Sequence, residues 1–308
     1  MAQKLLLIVG PTAVGKTALA VELAQKFNGE VISGDSMQIY RGLDIGTAKV
    51  TPAEMQGIKH YMLDINEIDQ RFSVADFIAH CKQDAQMIAK EDKLPILAGG
   101  TGFYLHALLN DFKLGQDSYD QAETKRNKWH AFAAEYGQKK LWEKLAQIDP
   151  KAAAKIPFQN EQRVVRALEV YEKTGNLFSS QADQESSAYD ALIIGLTTER
   201  ALLYERINQR VDLMLEQGLL EEARFLYEQG GAELPPGKGI GYKEFYPYFE
   251  DKSTLEEAVL AVKQNSRRYA KRQLTWFRNK MDVNWFDIVQ HPAQKEKIIE
   301  LVTDWLAK

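Results

Sequence analysis

The chain reads as an α/β protein, a parallel β-sheet wrapped by helices with a helical segment inserted, and three features of the sequence predict it. Short apolar runs alternate with helical spacing through the first hundred residues, as expected for strand–helix units whose strands lie parallel. From about Lys113 to Glu185 the chain turns polar and helical, with no strand-like run. An apolar run then returns at Ala191-Leu-Ile-Ile-Gly-Leu196, so the sheet resumes after the insertion. The expected organisation is an α/β core of residues 1–112 and 188–308, with an inserted helical domain of residues 113–187.

Leu5-Leu-Leu-Ile-Val9 has the apolar continuity of a buried strand, and residues 17–26 follow as an amphipathic helix. Glu30-Val-Ile-Ser33 is a second strand ending at Gly34-Asp35-Ser36, and residues 61–63 form a weaker third that closes at Asp64. Residues 73–90 have helical spacing, with Ser73 as N-cap and Asp76 in the first turn. Lys93-Leu-Pro-Ile-Leu-Ala98 is a strand running into Gly99-Gly100-Thr101-Gly102. In the insertion the best helices are residues 129–147 and 162–174, the second stopped by Gly175. After the strand at 191–196, helices at 201–216 and 219–228 are split at Gly218. A loop rich in breakers spans 234–242, a long helix 254–280, and a last strand 283–286. In parallel sheets ligands sit outside the carboxyl ends of the strands. Three strands therefore bring residues 10–17, 35–38 and 99–102 to one edge.

At 308 residues and 45% apolar content, the chain can bury a full core. Its net charge of −4 gives no global sign of nucleic-acid binding, so any such surface must be local. One cysteine, Cys81, supports neither a disulfide framework nor a cysteine-based zinc site within the chain. The sequence shows no membrane span and no signal-peptide layout, and the expected location is the cytoplasm.

The first strand feeds directly into Gly10-Pro11-Thr12-Ala13-Val14-Gly15-Lys16-Thr17, a G-x-x-x-x-G-K-[ST] loop. In such a P-loop the glycines let successive backbone N–H groups turn toward phosphate oxygens, and the helix behind presents its positive end. Lys16 would reach the outer phosphates, and the Thr17 hydroxyl suits Mg2+. A plain glycine-rich turn can match this pattern, but the strand before it and the helix after it favour a phosphate site on a P-loop NTPase-like sheet. The motif requires only a pyrophosphate. It leaves open whether a terminal phosphoryl group is moved or a whole pyrophosphate is displaced from carbon.

Asp35, at a neighbouring strand end, can bind magnesium through water or take a proton from a nucleophile; its plainer reading is a loop-bracing aspartate. Thr101 offers a hydroxyl among glycines that permit close approach of a ligand. Near the C-terminus, Lys263, Arg267, Arg268, Lys271, Arg272, Arg278 and Lys280 fall in a stretch free of Asp and Glu, interleaved with Tyr269, Trp276 and Phe277. Cations with aromatic platforms suit nucleic-acid phosphates and bases; the alternative is a helix with core aromatics and solvated charges. Lys238-Gly239-Ile240-Gly241-Tyr242-Lys243 reads as a second, flexible basic loop, and Arg163 and Arg166 lie on an amphipathic helix.

Taken together, these segments resemble the tRNA dimethylallyltransferases, also called tRNA isopentenyltransferases, in their bacterial form. The resemblance runs along nearly the whole chain. It rests on the loop at 10–17, Asp35-Ser-Met-Gln-Ile-Tyr-Arg-Gly-Leu-Asp-Ile-Gly-Thr-Ala-Lys49, Gly99-Gly-Thr-Gly-Phe-Tyr104, Arg163-Val-Val-Arg-Ala-Leu-Glu169, Gly239-Ile-Gly-Tyr242 and Lys271-Arg-Gln-Leu-Thr-Trp-Phe-Arg278. It implies transfer of a dimethylallyl group from its pyrophosphate to the exocyclic amine of the adenosine at tRNA position 37, 3′ of the anticodon. The P-loop then holds an isoprenoid pyrophosphate, and displacement from carbon is the implied reaction.

By the same resemblance Asp35 is the general base, Thr101 bonds the bridging oxygen of the donor, and Arg210 joins Lys16 and Thr17, with Mg2+, around the pyrophosphate. Asp35, Ser36, Met37 and Gln38 would read the flipped adenine. Arg126, Gln159, Asn160, Glu161, Gln162 and Arg163 of the insertion would grip the anticodon stem-loop. The 238–243 loop and Lys271, Arg272, Gln273 and Arg278 would complete the tRNA footprint. The sequence departs from the family pattern at the lead-in to Arg126 and at Gln159-Asn-Glu-Gln162. A single cysteine and the early chain end lead us to expect no C-terminal zinc finger of the eukaryotic kind. The expected partners are tRNA and dimethylallyl pyrophosphate, with no membrane and the chain acting as a monomer. Competing functions are an adenylate isopentenyltransferase, a small-molecule P-loop kinase and a non-catalytic RNA-binding module.

Overall fold

The computed structural model describes residues 2–110, 119–182 and 189–308, without the side chains of 119–125, 181 and 182. Six strands are β1 (Gln3–Val9), β2 (Gly29–Ser33), β3 (His60–Tyr61), β4 (Leu94–Gly99), β5 (Tyr189–Leu196) and β6 (Asn284–Phe286). They form one sheet in the order β3-β2-β4-β1-β5-β6, with every pairing parallel. From β1 the chain passes beyond the slot later filled by β4, and it returns to the other flank of β1 only with β5. The end of β1 is therefore a topological switch point, where such sheets open a crevice for ligands.

Register brings the expected loops together. Val9 pairs with both Gly99 and Gly195, and Ser33 pairs with Ala98. The carboxyl ends of β1, β2 and β4 thus terminate at one level. Leu6, Leu7, Ile8 and Val9 are fully buried because β1 lies mid-sheet with both faces covered. On one face its side chains pack with Leu19 and Leu23 of the helix Lys16–Lys26 and with Ile298, Val302 and Trp305 of the helix Gln294–Leu306.

The chain divides into two compact units, Met1–Leu109 with Ala188–Lys308, and Asn110–Ser187. The boundaries expected at 112/113 and 187/188, and the segment ends Lys113 and Glu185, lie outside the described residues. The smaller unit contains the helices Tyr119–Tyr136, Gln138–Ile148, Pro150–Lys155 and Glu161–Thr174 around Trp129, Leu141, Leu145, Val164 and Leu168. The single helix expected over 129–147 is two helices. Gly137, at φ 87, sits between them in a backbone conformation a continuous helix excludes.

Caps explain several helix ends. Ser73 with Asp76 and Thr254 with Glu257 both form complete capping boxes, starting the helices Val74–Lys90 and Leu255–Lys280. Gly175 closes its helix at φ 70. Helices that the sequence reading did not have include Gly102–Leu109, hidden behind a glycine-rich run, and Gln294–Leu306, carried by the stripe Ile298–Val302–Trp305. Among the described residues, no helix is long and apolar enough to cross a membrane.

Candidate active site at the sheet edge

The phosphate loop is held in shape from outside itself. Gly10 sits so close to the Leu196 carbonyl that any side chain there would collide with backbone. Lys16 Nζ folds back to donate to the Pro11 carbonyl at 2.6 Å. Two arginines of the helix Arg200–Glu216 reach the loop: Arg206 Nε donates to the Ala13 carbonyl at 2.8 Å, and Arg210 Nη1 to Thr12 Oγ1 at 3.3 Å. The Thr17 hydroxyl, in the first turn of the following helix, is on an exposed residue.

The electrostatics tie three side chains together. Burial, reinforced by Arg210, lowers Lys16 to about 8, while Asp35 pulls the other way. Burial likewise depresses Arg210, opposed first by Asp35. Burial is also the largest influence on Asp35 and raises its carboxyl above the usual carboxylate range. The Met37 N–H, Lys16 and Arg210 act against that rise. Asp35 Oδ1 accepts the Met37 N–H at 2.9 Å, a local turn that fixes its orientation. A base candidate therefore lies within the field of two cations that are themselves short of negative charge.

Thr101 Oγ1 accepts the Ser36 N–H at 3.2 Å, joining the loop after β4 to the loop after β2. Gln273 corrects the sequence reading. Expected to touch tRNA, it is instead 6% exposed, and its amide bridges two loops of the site. Its oxygen accepts the Thr12 N–H at 3.2 Å, and its nitrogen donates to the Gly100 carbonyl at 3.0 Å. Tyr269, one turn earlier, interacts with Thr101 and Gln273, and its hydroxyl is pushed up to about 12 by burial and then by Asp35. Helical spacing gave the signal for both: Ala270, Gln273 and Phe277 form the buried face of this helix.

Gln38, expected to read a base, has its amide engaged with the chain. Its oxygen accepts the Ser33 hydroxyl at 2.7 Å, and its nitrogen donates to the Thr47 and Ala48 carbonyls at 3.2 and 3.1 Å. The 238–243 loop is not the flexible basic loop of the sequence reading. Lys238 and Lys243 are exposed, but Gly241 and Tyr242 are buried, and the Gly241 N–H donates to Glu244 at 2.9 Å. Gly239 packs against Met37, whose methyl would lie 2.7 Å from any added Cβ. Ile240 is half-buried.

The cations of the long helix divide. Lys263 pairs with Asp212 at 2.5 Å and Arg267 donates to Asn208 at 2.6 Å, so both fasten this helix to Arg200–Glu216. Arg278 stacks over Trp285 at 5.6 Å. Arg268, Lys271, Arg272 and Lys280 instead line an open groove of about 570 Å³ with Trp276 on its wall. Of the interleaved aromatics, Phe277 is core, and Trp276 packs edge-on against His106 at 5.4 Å.

In the smaller unit, Arg126 Nη2 donates to the two carboxylate oxygens of Glu169, at 3.2 and 3.1 Å, and Arg166 approaches the same carboxylate at 3.3 Å. Glu169 is fully buried. Arg126, expected at a tRNA surface, thus also balances an interior charge. Asn160 caps its helix by accepting the Arg163 N–H, and Glu161 accepts from Gln138 and meets His130. Gln159, Gln162 and Arg163 are exposed.

Among the described residues, no three His, Cys, Asp or Glu side chains converge as a metal cage. Thr17, the residue expected to meet Mg2+, lies in the first turn of the helix Lys16–Lys26 and offers a hard oxygen donor, the kind that cation takes.

The IPP transferase family model matches residues 38–280. The chain is 59% identical to the tRNA dimethylallyltransferase of Ligilactobacillus salivarius, covering 99% of this chain and all of that one. It is 53% identical to the tRNA dimethylallyltransferase of Enterococcus faecalis, with 99% and 98% covered. The crystal structure of the tRNA isopentenylpyrophosphate transferase of Bacillus halodurans superposes with a TM-score of 0.75 at 48% identity, over 99% of this chain and 97% of that one. A eukaryotic dimethylallyltransferase described as acting on tRNA gives a TM-score of 0.83 at 29% identity, over 99% and 80%. A parallel sheet with this P-loop edge, matched by family model, sequence and fold over the same chain, belongs to the IPP transferase family.

Proposed function

We propose that this protein transfers the dimethylallyl group of dimethylallyl pyrophosphate to the exocyclic amine of the adenosine at tRNA position 37. The observation that carries this reading is the grouping of Asp35, after β2, with Lys16, after β1, and Arg210 of the helix Arg200–Glu216, in electrostatic contact at the carboxyl edge of the sheet. A pyrophosphate on the loop amides would meet Lys16 and Arg210, whose lowered affinities for their protons mark a site that favours an anion. As the amine nitrogen bonds to the first carbon of the donor, the carbon–oxygen bond breaks and negative charge grows on the leaving pyrophosphate. Cations and amides already in place stabilise that charge without reorganising. The proton leaves the amine for Asp35, whose raised basicity suits the task.

Mg2+ would supply further charge neutralisation at the pyrophosphate, held on the protein side by Thr17. Thr101, fixed by the Ser36 N–H, is the proposed partner of the bridging oxygen. The target adenine must leave its stack, at a cost of about a few kcal/mol, and Asp35, Ser36 and Met37 form the segment that would receive it. Lys271 and Arg272 in the open groove, Arg278 beside it, Lys238 and Lys243, and Gln159, Gln162 and Arg163 of the inserted unit are the proposed contacts to the anticodon stem-loop. The protein would act in the cytoplasm as a monomer.

The test is transfer of labelled dimethylallyl from its pyrophosphate to unmodified tRNA, with a tRNA carrying guanosine at position 37 as control. Label on the first tRNA alone is expected. Label on neither, or prenylation of free adenine nucleotides instead, would overturn the reading.

A further inference from the structure

Glu222 has no part in the chemistry above, yet its carboxylate is tied to the segment that carries Asp35. It comes from the helix Leu219–Glu228, and it accepts three successive backbone N–H groups of a loop far away in sequence. Oε2 takes the N–H of Asp44 at 2.7 Å and of Ile45 at 2.8 Å. Oε1 takes the N–H of Gly46 at 2.8 Å and the Tyr242 hydroxyl at 2.8 Å. Consecutive N–H groups turned toward one anion form a nest. Here the anion is supplied by the chain itself, so the nest is a clamp.

What the clamp holds is one step from the site. The carbonyls of Thr47 and Ala48, next along the same loop, accept the Gln38 amide. Gln38 takes the Ser33 hydroxyl, and Ser33 Oγ accepts the Asp35 N–H at 3.4 Å. A second arm runs through Tyr242: a Cβ at Gly46 would meet its ring at 2.7 Å, so loop and ring are in closest packing. Gly239, three residues before that tyrosine, packs on Met37. Both arms start at Glu222 and end on residues 35–38. The phosphate loop is braced separately, by Arg206, Arg210 and Gln273.

We propose that Glu222 is a positioning residue for the acceptor half of the site: by clamping residues 44–46 it sets where Asp35 meets the incoming amine. This rests on the transfer reading above. An apolar residue at 222 would leave the three N–H groups without their acceptor, and a bond to a charged acceptor is about twice as strong as a neutral one.

Glu222→Ala, Glu222→Gln and Tyr242→Phe are compared with wild type and with the exposed neighbour Glu221→Ala as control. Measured are kcat and KM for unmodified tRNA, dimethylallyl pyrophosphate affinity and stoichiometry, and thermal midpoint. Turnover should fall in the order Y242F, E222Q, E222A, reaching about 10²-fold in the last, the scale of a misplacement near 1 Å. KM for tRNA and donor affinity should stay near wild type, and E221A should match wild type throughout. A folded E222A with unchanged kcat overturns the proposal. So does donor stoichiometry falling in step with kcat, since that reports loss of fold. Should E222A not fold, E222Q decides: a loss of about tenfold with intact donor binding, the scale of one charge-assisted bond, supports the clamp, and full turnover refutes it. Wild type that fails to modify tRNA refutes the transfer reading instead.

Discussion

Gln273 couples two loops that the sheet merely places side by side, and its removal gives a sharp test of how the site is built. In Gln273→Ala the Thr12 N–H loses its acceptor, and the Gly100 carbonyl loses one of two donors, keeping the Gly102 N–H at 3.0 Å. A buried polar group left unsatisfied costs about 1–3 kcal/mol. Thr12 is half-buried and Gly100 keeps the Gly102 N–H, so the loss should cost about 1–3 kcal/mol. For a protein of this size that is a fall of about 2–5 °C in thermal midpoint, accompanied by weaker binding of dimethylallyl pyrophosphate as the loop loosens. Gly100→Ala attacks the same bridge from the other side, because an added Cβ would collide with the Gln273 amide nitrogen. The two single variants should therefore resemble each other. In the double variant the truncated side chain leaves room for the new methyl, so its loss should match that of Gln273→Ala alone to within about 0.5 kcal/mol, not the sum. Additive losses in urea and thermal denaturation, or an unchanged midpoint in Gln273→Ala, would show that the bridge does not brace the loops.

Three further outcomes follow from the same geometry. Asp35→Ala should lower turnover by about 10²–10⁴-fold, the contribution of a general base, with tRNA affinity preserved; since burial raises the Asp35 carboxyl, wild-type turnover should rise with pH as that proton leaves, and Asp35→Asn should flatten this limb. Lys16 in the free protein gives up its proton near 8, so donor affinity should be full below that pH and decline above it, and Lys16→Met should bind donor weakly with that decline gone; ATP hydrolysis that needs Lys16 but not tRNA would point to a kinase or ATPase. Lys271→Ala with Arg272→Ala should flatten the salt dependence of tRNA binding by about 0.7–0.9 in slope per lost phosphate contact, leaving donor binding unchanged; an unaltered slope would place the footprint elsewhere.

The sheet was legible in the sequence because its central strands β1 and β4 are mostly buried and read as apolar runs, whereas the edge strands β3 and β6 are at most half-buried and short. The cap at Ser73 was legible because a cap is a local event. What escaped the sequence was long-range pairing. The basic character of residues 263–280 is real, but Lys263 and Arg267 turn to Asp212 and Asn208, more than fifty residues away, and composition cannot sort paired cations from open ones. Gln273 was grouped with its charged neighbours, whereas helical phase puts it on the face of Ala270 and Phe277. Tyr242 sits in a run of glycines and lysines that suggests mobility, and only the fold shows its ring closed under Gly46. The break at Gly137 was local, but strong apolar spacing on either side concealed it.

The site also explains why a phosphate loop can serve displacement at carbon. Burial lowers the proton affinity of both Lys16 and Arg210, and Arg210 further lowers that of Lys16. An incoming pyrophosphate relieves that strain, and it relieves it most when its charge is greatest, after the bond to carbon has broken. The differential between bound donor and departing pyrophosphate is what accelerates a reaction, since uniform binding does not. Nothing in this depends on whether the bond that breaks is phosphorus–oxygen or carbon–oxygen; the cations respond to charge on the leaving oxygens alone. On the proposed reading, the identity of the reaction would be set on the other side of the crevice, by what residues 35–38 admit and by the base they present. The loop proposed to hold the donor is braced by Arg206, Arg210 and Gln273, and the segment proposed to receive the acceptor is held through Gln38, so the two decisions would rest on different supports.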